Sequence, residues 1–295
     1  MERLTLAAYA KINLSLDVVG KRPDGYHLLE MVMQSVSLHD TVQLQKNTTG
    51  DIRLTCTDPA IPGDEKNIAH RCAALFLQQC NISSGVDIHI EKRIPSGAGL
   101  AGGSADGAAV LVGLNQLFHA GLSENELIRL GVQIGADIPF CICGGTKLCK
   151  GIGEVITPLP ALPDCTILLC KPSISIDTAE AFRQIDNGTI THRPDTNALC
   201  GAISKGDLSA VGSLLENAFE TALPMTVLQK IKTVFLSFGA LGAGMTGSGS
   251  AMLGIFDDPA KAEACAASLK TEYPDVFCTV PTQQGVETIK MLSSV

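Results

Sequence analysis

Residues 92–105 read Lys-Arg-Ile-Pro-Ser-Gly-Ala-Gly-Leu-Ala-Gly-Gly-Ser-Ala and feed an apolar helical pattern running to about Phe118. So many small residues at a helix entrance serve one of two ends. They let the helix press tightly on a sheet, or they leave its free N–H groups open to an anion at the positive end of the helix dipole. Both readings stand at this point. Gly97, Gly99 and Gly102 match G-x-G-x-x-G, a weak signal alone. A dinucleotide fold would place an acidic residue ~20 positions further on, where this chain has Ala120-Gly121-Leu122-Ser123. No G-x-x-x-x-G-K-[ST] occurs, which removes the P-loop. What remains is a glycine-rich loop whose Ser96 and Ser104 hydroxyls can add ligands to phosphate or Mg²⁺. A second run, Gly242-Ala-Gly-Met-Thr-Gly-Ser-Gly-Ser250, leads into a strand. Alone it fits a hairpin connection equally well. Two such runs in one chain are better explained by a shared ligand.

Around these loops the chain alternates helical and strand patterns. In residues 4–19, Ile12, Leu14, Leu16 and Val18 face one way and Tyr9, Lys11, Asn13, Ser15 and Asp17 the other, as in a strand with one apolar face. Pro23-Asp24-Gly25 is a turn. Strands are expected at Met31–Leu38, Thr41–Leu44, Ile52–Thr57 and Val86–Ile90. Asn67 reads as the N-cap of a helix between the last two. Ser123 and Glu126 form a capping box for a helix reaching Gly135. The Gly- and Pro-rich stretch 151–165 suggests a boundary between two domains, 1–160 and 161–295. Beyond it, a buried strand Thr166–Cys170 precedes a mainly helical 195–238. Strand Ser250–Phe256, helix Pro259–Thr271 and a final strand Val276–Val280 follow.

At 295 residues and ~150 per domain, two domains are the natural expectation. Hydrophobic residues make up 45% and charged ones 18%, enough for a sizeable core and against disorder. The net charge of −8 opposes nonspecific nucleic-acid or anionic-membrane binding, so an anionic ligand must meet a locally positive site. No apolar run reaches the ~18 residues of a membrane span. Met1-Glu2-Arg3-Leu4 does not open an export signal. Eleven cysteines without a C-x-x-C pair point to reduced thiols in a cytoplasmic protein and give no zinc site.

Several polar residues carry two readings. Lys11 is by default a surface lysine, yet it shares a strand face with Tyr9 and Asn13, and a site covering that face would receive all three. Asp137, two residues before Pro139, suits the start of a short helix or a catalytic carboxylate. Tyr26 and His27 are surface packing, or a ring that stacks on a nucleobase beside an imidazole that reads its polar edge. Phe182 is a core helix residue or a second wall for such a base.

Three segments together resemble the GHMP kinases: Ala10-Lys-Ile-Asn13, Pro95–Asp106 and Gly244–Ser250. Gly20-Lys-Arg-Pro-Asp-Gly-Tyr-His27, Met33-Gln34 and Gly135-Ala-Asp-Ile-Pro-Phe140 tighten the likeness to members that act on a cytidine-diphosphate-linked polyol. The resemblance implies an α+β, two-domain GHMP kinase fold. Its N-terminal half is ribosomal-protein-S5-domain-2-like and its C-terminal half a ferredoxin-like α/β sandwich. It also implies transfer of phosphate from ATP, with Mg²⁺, to a hydroxyl of a CDP-linked methylerythritol. By this resemblance Lys11 and Asp137 are catalytic, paired as ammonium and carboxylate. ATP would be cradled by Pro95, Ser96, Gly97, Ala98, Gly99, Leu100, Ala101, Gly102, Gly103, Ser104 and Ala105 with Asn67. Ser104 would also reach the metal. Asn13, Tyr26, His27, Thr178, Phe182, Gly247 and Ser248 would meet the substrate. Two positions depart from the family's habit: Lys147 stands for a small apolar residue and Ile152 for arginine. A kinase of another small alcohol (homoserine, mevalonate or a sugar) would share both glycine loops without needing Tyr26 and His27. A noncatalytic nucleotide- or RNA-binding module is opposed by the acidic charge and by 4% aromatics.

Overall fold

Nineteen residues of near-unbroken alternation make β1 (Arg3–Lys21) long enough to run through the whole first layer of the computed structural model, which describes residues 2–188, 192–223 and 225–292. The elements that follow are β2 (His27–Asn47), β3 (Ile52–Cys56), α1 (Ile68–Gln79), β4 (Gly85–Glu91), α2 (Gly102–Leu117), α3 (Glu124–Gly131), α4 (Ile138–Cys143), β5 (Thr146–Gly151) and β6 (Val155–Pro158). Then come β7 (Thr166–Lys171), α5 (Thr178–Asn187), α6 (Thr196–Lys205), α7 (Leu208–Ser213), β8 (Glu216–Asn217), α8 (Ala218–Ala222) and α9 (Thr226–Ser237). The chain ends with β9 (Gly242–Met245), β10 (Met252–Phe256), α10 (Pro259–Leu269), β11 (Asp275–Thr279) and β12 (Val286–Leu292).

An eight-stranded sheet has the path β12-β1-β2-β4-β3, with β5 added beside β2, β6 beside β5 and β8 beside β1. Leu4, Leu6, Ala8, Ala10, Ile12 and Leu14 of β1 point into its core, where α2 presents Ala105, Ala109, Leu111 and Leu114. These side chains are almost solvent-free, and burying each larger one contributes about 1.5–3 kcal/mol. The second sheet, β11-β7-β10-β9, is antiparallel and packs against α9 and α10. Its strand Ile167–Cys170 is buried throughout, as its unbroken apolar run demands.

Three differences from the sequence reading have physical causes. Met31–Leu38 and Thr41–Leu44 are one strand, β2, because Asp40 is not a breaker there but a buried partner of Lys92 and of two backbone N–H groups. The Gly- and Pro-rich 151–165 stretch contains β6, hairpinned onto β5. Val276–Val280 is not the last strand: β12 follows it and returns to pair antiparallel with β1, Arg3 opposite Leu292 and Ala8 opposite Val286. The capping box of Ser123 and Glu126 is present, with α3 ending at Gly131. No helix among the described residues is long and apolar enough to cross a membrane.

Candidate active site

α2 opens without a cap. Its N-cap residue, Ala101, sits in the left-handed region (φ 57°) and offers no side-chain bond, and no acid occupies the first turn. Ala105 N–H is the first to bond back, to the Ala101 carbonyl at 2.9 Å, so the turn before it presents bare donors and a positive dipole end. The loop is fixed from two sides. Leu100 O accepts the Lys11 N–H at 3.2 Å, and Ala98 O accepts that of Ala251 at 3.1 Å. Gly99 (φ 77°) is the contact point: any Cβ there would overlap the Thr246 carbonyl, and a Cβ on Gly247 would lie 2.8 Å from Gly99 Cα. The second glycine run is thus a hairpin between β9 and β10, and it also meets the first run backbone to backbone.

Lys11 is no surface lysine. It is 4% exposed and donates to Asn13 Oδ1 at 2.8 Å. Asn13 in turn receives the Gly247 N–H at 3.0 Å on the same oxygen, while its own N–H donates to Thr246 Oγ1 at 2.9 Å. Lys11 Nζ lies 3.8 Å from Asp137 Oδ2. Asp137 holds the N-cap position of α4, with Pro139 just inside, yet its carboxylate makes no capping bond. One oxygen faces the ammonium and the side chain remains 35% exposed, open to the cavity described below. Tyr9 does not join them. The strand register shifts between Tyr9 and Lys11, and Tyr9 OH donates instead to Glu287 Oε2 of β12 at 2.5 Å.

Beneath the loop lies a buried trio that the sequence reading missed. Lys92 Nζ donates to Asp40 Oδ2 and, at 2.8 Å, to Asp106 Oδ2. Burial raises the Asp106 carboxyl to about 7 against the pull of Lys92. The only sequence signal was the pair of charges bracketing a loop of small residues. Burial pushes the thiols of Cys72 and Cys149 up to about 12, and all eleven cysteines are free.

Some distance along the same cavity is an aromatic end. The His27 ring stacks on Phe182 at 4.4 Å and 16°, and Phe182 meets Phe219 edge-on at 5.0 Å. His27 Nε2 is 2.7 Å from Asp186 Oδ1, and Lys21 Nζ is 2.5 Å from Oδ2 of the same carboxylate. These two bonds hold the Asp186 carboxyl below its ordinary range. Tyr26 is 61% exposed beside them. Thr178 Oγ1 and Ser248 Oγ are 2.9 Å apart, joining α5 to the second glycine run.

One cavity of about 1190 Å³ takes in both ends. Lys11, Asp137, Asn67, Tyr26, His27, Thr178, Phe182, Gly247 and Ser248 line it, with Pro95–Gly99 and Ala101–Ser104 of the loop. Three expected site residues do not. Leu100 and Ala105 are buried in the core, their side chains turned inward by the loop's path, and Asn13 stands behind Lys11. Asn67 caps α1, accepting from Ala69 N–H at 2.8 Å, while also lining the rim. Of the two family departures, Ile152 lines the cavity and Lys147 does not. Five Lys and Arg side chains face four Asp there, a positive balance within a chain of −8. Among the described residues no three His, Cys, Asp or Glu side chains gather as a metal cluster.

The chain is similar to known proteins over most of its length. The family model described as GHMP kinases N terminal domain matches residues 67–145, and GHMP kinases C terminal matches 200–275. A Clostridium botulinum (strain Alaska E43 / Type E3) protein named 4-diphosphocytidyl-2-C-methyl-D-erythritol kinase is 45% identical over 278 residues, 94% of this chain and 99% of that one. The chain belongs to the GHMP kinases. As a GHMP kinase it shares its fold with a crystal structure of 4-(cytidine 5'-diphospho)-2C-methyl-D-erythritol kinase, with a TM-score of 0.79 and 30% identity over 95% of this chain and 99% of that one. Homoserine kinase from Cytophaga hutchinsonii has almost the same TM-score, 0.78, at 20% identity, covering 97% of each chain, and shows the fold alone. The two-domain α+β expectation holds for this GHMP kinase.

Proposed function

We propose that the chain is a 4-diphosphocytidyl-2-C-methyl-D-erythritol kinase, transferring the γ-phosphoryl group of ATP to the 2-hydroxyl of its cytidyl substrate in the non-mevalonate isoprenoid route. The observation that carries this reading is a single cavity joining an uncapped helix N-terminus and a Lys11–Asp137 pair to a His27–Phe182 aromatic end. The names of relatives above 40% identity over nearly the whole chain support it.

Phosphoryl transfer demands positioning and charge neutralisation more than covalent help. The glycine loop and the first turn of α2 bind the ATP phosphates through backbone N–H groups. Asp137 orients the attacking hydroxyl and takes its proton as the bond forms, and Lys11 holds Asp137 in place and faces the γ-phosphate. Asn13 fixes the Lys11 ammonium and the Gly247 backbone together. Tyr26, His27 and Phe182 hold the cytosine, with Thr178 and Ser248 at its polar side.

Mg²⁺ fits this donor set as a companion of the nucleotide. It keeps several waters and takes one or two protein oxygens plus substrate phosphates, and the site offers the Ser104 hydroxyl and the Asp137 carboxylate rather than a resident cluster. Bound there by Ser104 and the phosphates, it would neutralise charge on the transferring group. The protein acts in the cytoplasm on a small molecule, without nucleic acid or membrane as partner. Incubation with ATP, Mg²⁺ and the cytidyl substrate should release ADP and one phosphomonoester, both lost with Asp137→Ala. Absence of product from the wild-type protein would overturn the assignment.

A further inference from the structure

Asp40, Lys92 and Asp106 take no part in the transfer described above, yet their side chains are only 0%, 7% and 5% exposed. Asp40 Oδ1 accepts the backbone N–H groups of Arg93 at 2.5 Å and Ile94 at 2.8 Å, the residues that lead into the loop at Pro95. Its other oxygen meets Lys92. From Lys92 the ammonium reaches 2.8 Å to Asp106, just beyond the first turn of α2, where the loop ends. One ammonium therefore ties the entrance of the loop to its exit. A Cβ on Gly102 would sit 3.2 Å from that nitrogen, so the charge stands directly behind the donors at the start of α2.

Packing alone does not call for such a cluster. Burying each ion costs several kcal/mol, and apolar groups of similar volume often fold as well. The cost is visible at Asp106 Oδ1, which is buried with no hydrogen-bond partner. The loop, in contrast, needs help: its residues from Gly97 to Gly103 are Gly, Ala and one Leu, with no polar side chain to hold a shape.

We propose that Asp106, acting through Lys92 and Asp40, is the positioning residue that locks the phosphate loop to α2 in its ATP-binding shape before ATP arrives. Ordering the loop in advance removes that cost from binding. The inference rests on reading the loop as the ATP site.

The test is calorimetric binding of MgATP, alongside steady-state kinetics, for wild type, Asp106→Ala and Asp106→Asn. Asp106→Ala cuts the tether and should weaken MgATP binding and raise KM for ATP by about 10-fold, with KM for the cytidyl alcohol within about 2-fold. Asp106→Asn keeps an oxygen to accept from Lys92 and should restore KM for ATP to within about 3-fold of wild type. If Asp106→Ala does not fold, the double variant Lys92→Met/Asp106→Leu keeps the volume, removes the tether and carries the same expectation. Wild-type MgATP binding with unchanged affinity in the folded tether-cutting variant would overturn the proposal. An equal rise in both KM values, or no recovery in Asp106→Asn, would overturn it as well. Failure of the wild type to bind MgATP at all would instead overturn the ATP-site reading.

Discussion

The two ends of the cavity are built from different materials. At the phosphate end the ligand-facing groups are backbone N–H donors of a loop pinned to Lys11, Ala251 and Asp40, with a buried ammonium beside Asp137. At the aromatic end they are side chains on a turn and on α5, with Tyr26 exposed and His27 resting on Phe182. On the proposed reading, the first would serve any nucleoside triphosphate and any hydroxyl brought near Asp137. On the same reading, a base lies between the rings of the second only once His27 and Phe182 part. A fold shared almost equally with a homoserine kinase therefore says little about the acceptor, whereas the aromatic end says a great deal.

If this division is right, damage to the first end should strike turnover and damage to the second should strike selection. The largest effect belongs to Asp137→Ala, expected to lower kcat by about 10²–10⁴-fold in a folded protein that still binds ATP. Turnover within a few fold of wild type would break the comparison at its base. Lys11→Met comes next, with a fall of about 10²-fold in kcat measured by ADP release, since it removes the cation facing Asp137 and the transferring group. His27→Ala should raise KM for the cytidyl substrate by about 10-fold while KM for ATP stays put. A rise in both would mean that the ends are not separate.

The smallest expected effect sharpens the aromatic end. Asp186 holds His27 against α5, so Asp186→Asn should ease the opening and lower KM for the cytidyl substrate by about 2-fold. Lys21 and His27 keep the Asp186 carboxyl below its ordinary range. The latch is thus intact above that range, and its effect disappears only as pH falls through the lowered value. A difference between wild type and Asp186→Asn that vanished near neutrality would contradict this origin.

Much of the phosphate end is legible in the sequence because its signals are local. The glycine loop, the helix behind it, and Lys11 within an alternating strand lie in short windows, and the alternation of β1 alone orients Ile12 toward the core. Asp40 is the counterexample. Read locally it interrupts a strand, and only contact with Lys92, 52 positions away, turns it into a buried partner. The same holds for β12, whose place beside β1 is set by pairing across the length of the chain. Tyr9 fails for a subtler reason: its hydroxyl reaches Glu287 of β12, a partner 278 positions away that no local side-chain pattern announces. At the aromatic end, Tyr26, His27 and Phe182 were individually visible, but not that His27 and Phe182 touch, nor that Asp186 and Lys21 fasten them.

The most direct test compares kcat/KM of the purified chain, with ATP and Mg²⁺, on the cytidyl-linked methylerythritol, on methylerythritol phosphate without the cytidyl group, and on homoserine. A preference of at least about 10²-fold for the cytidyl substrate is expected, because on the proposed reading only that substrate brings a base to the aromatic end. Equal turnover of an alcohol that lacks the base would contradict the account, leaving a kinase whose aromatic end selects nothing.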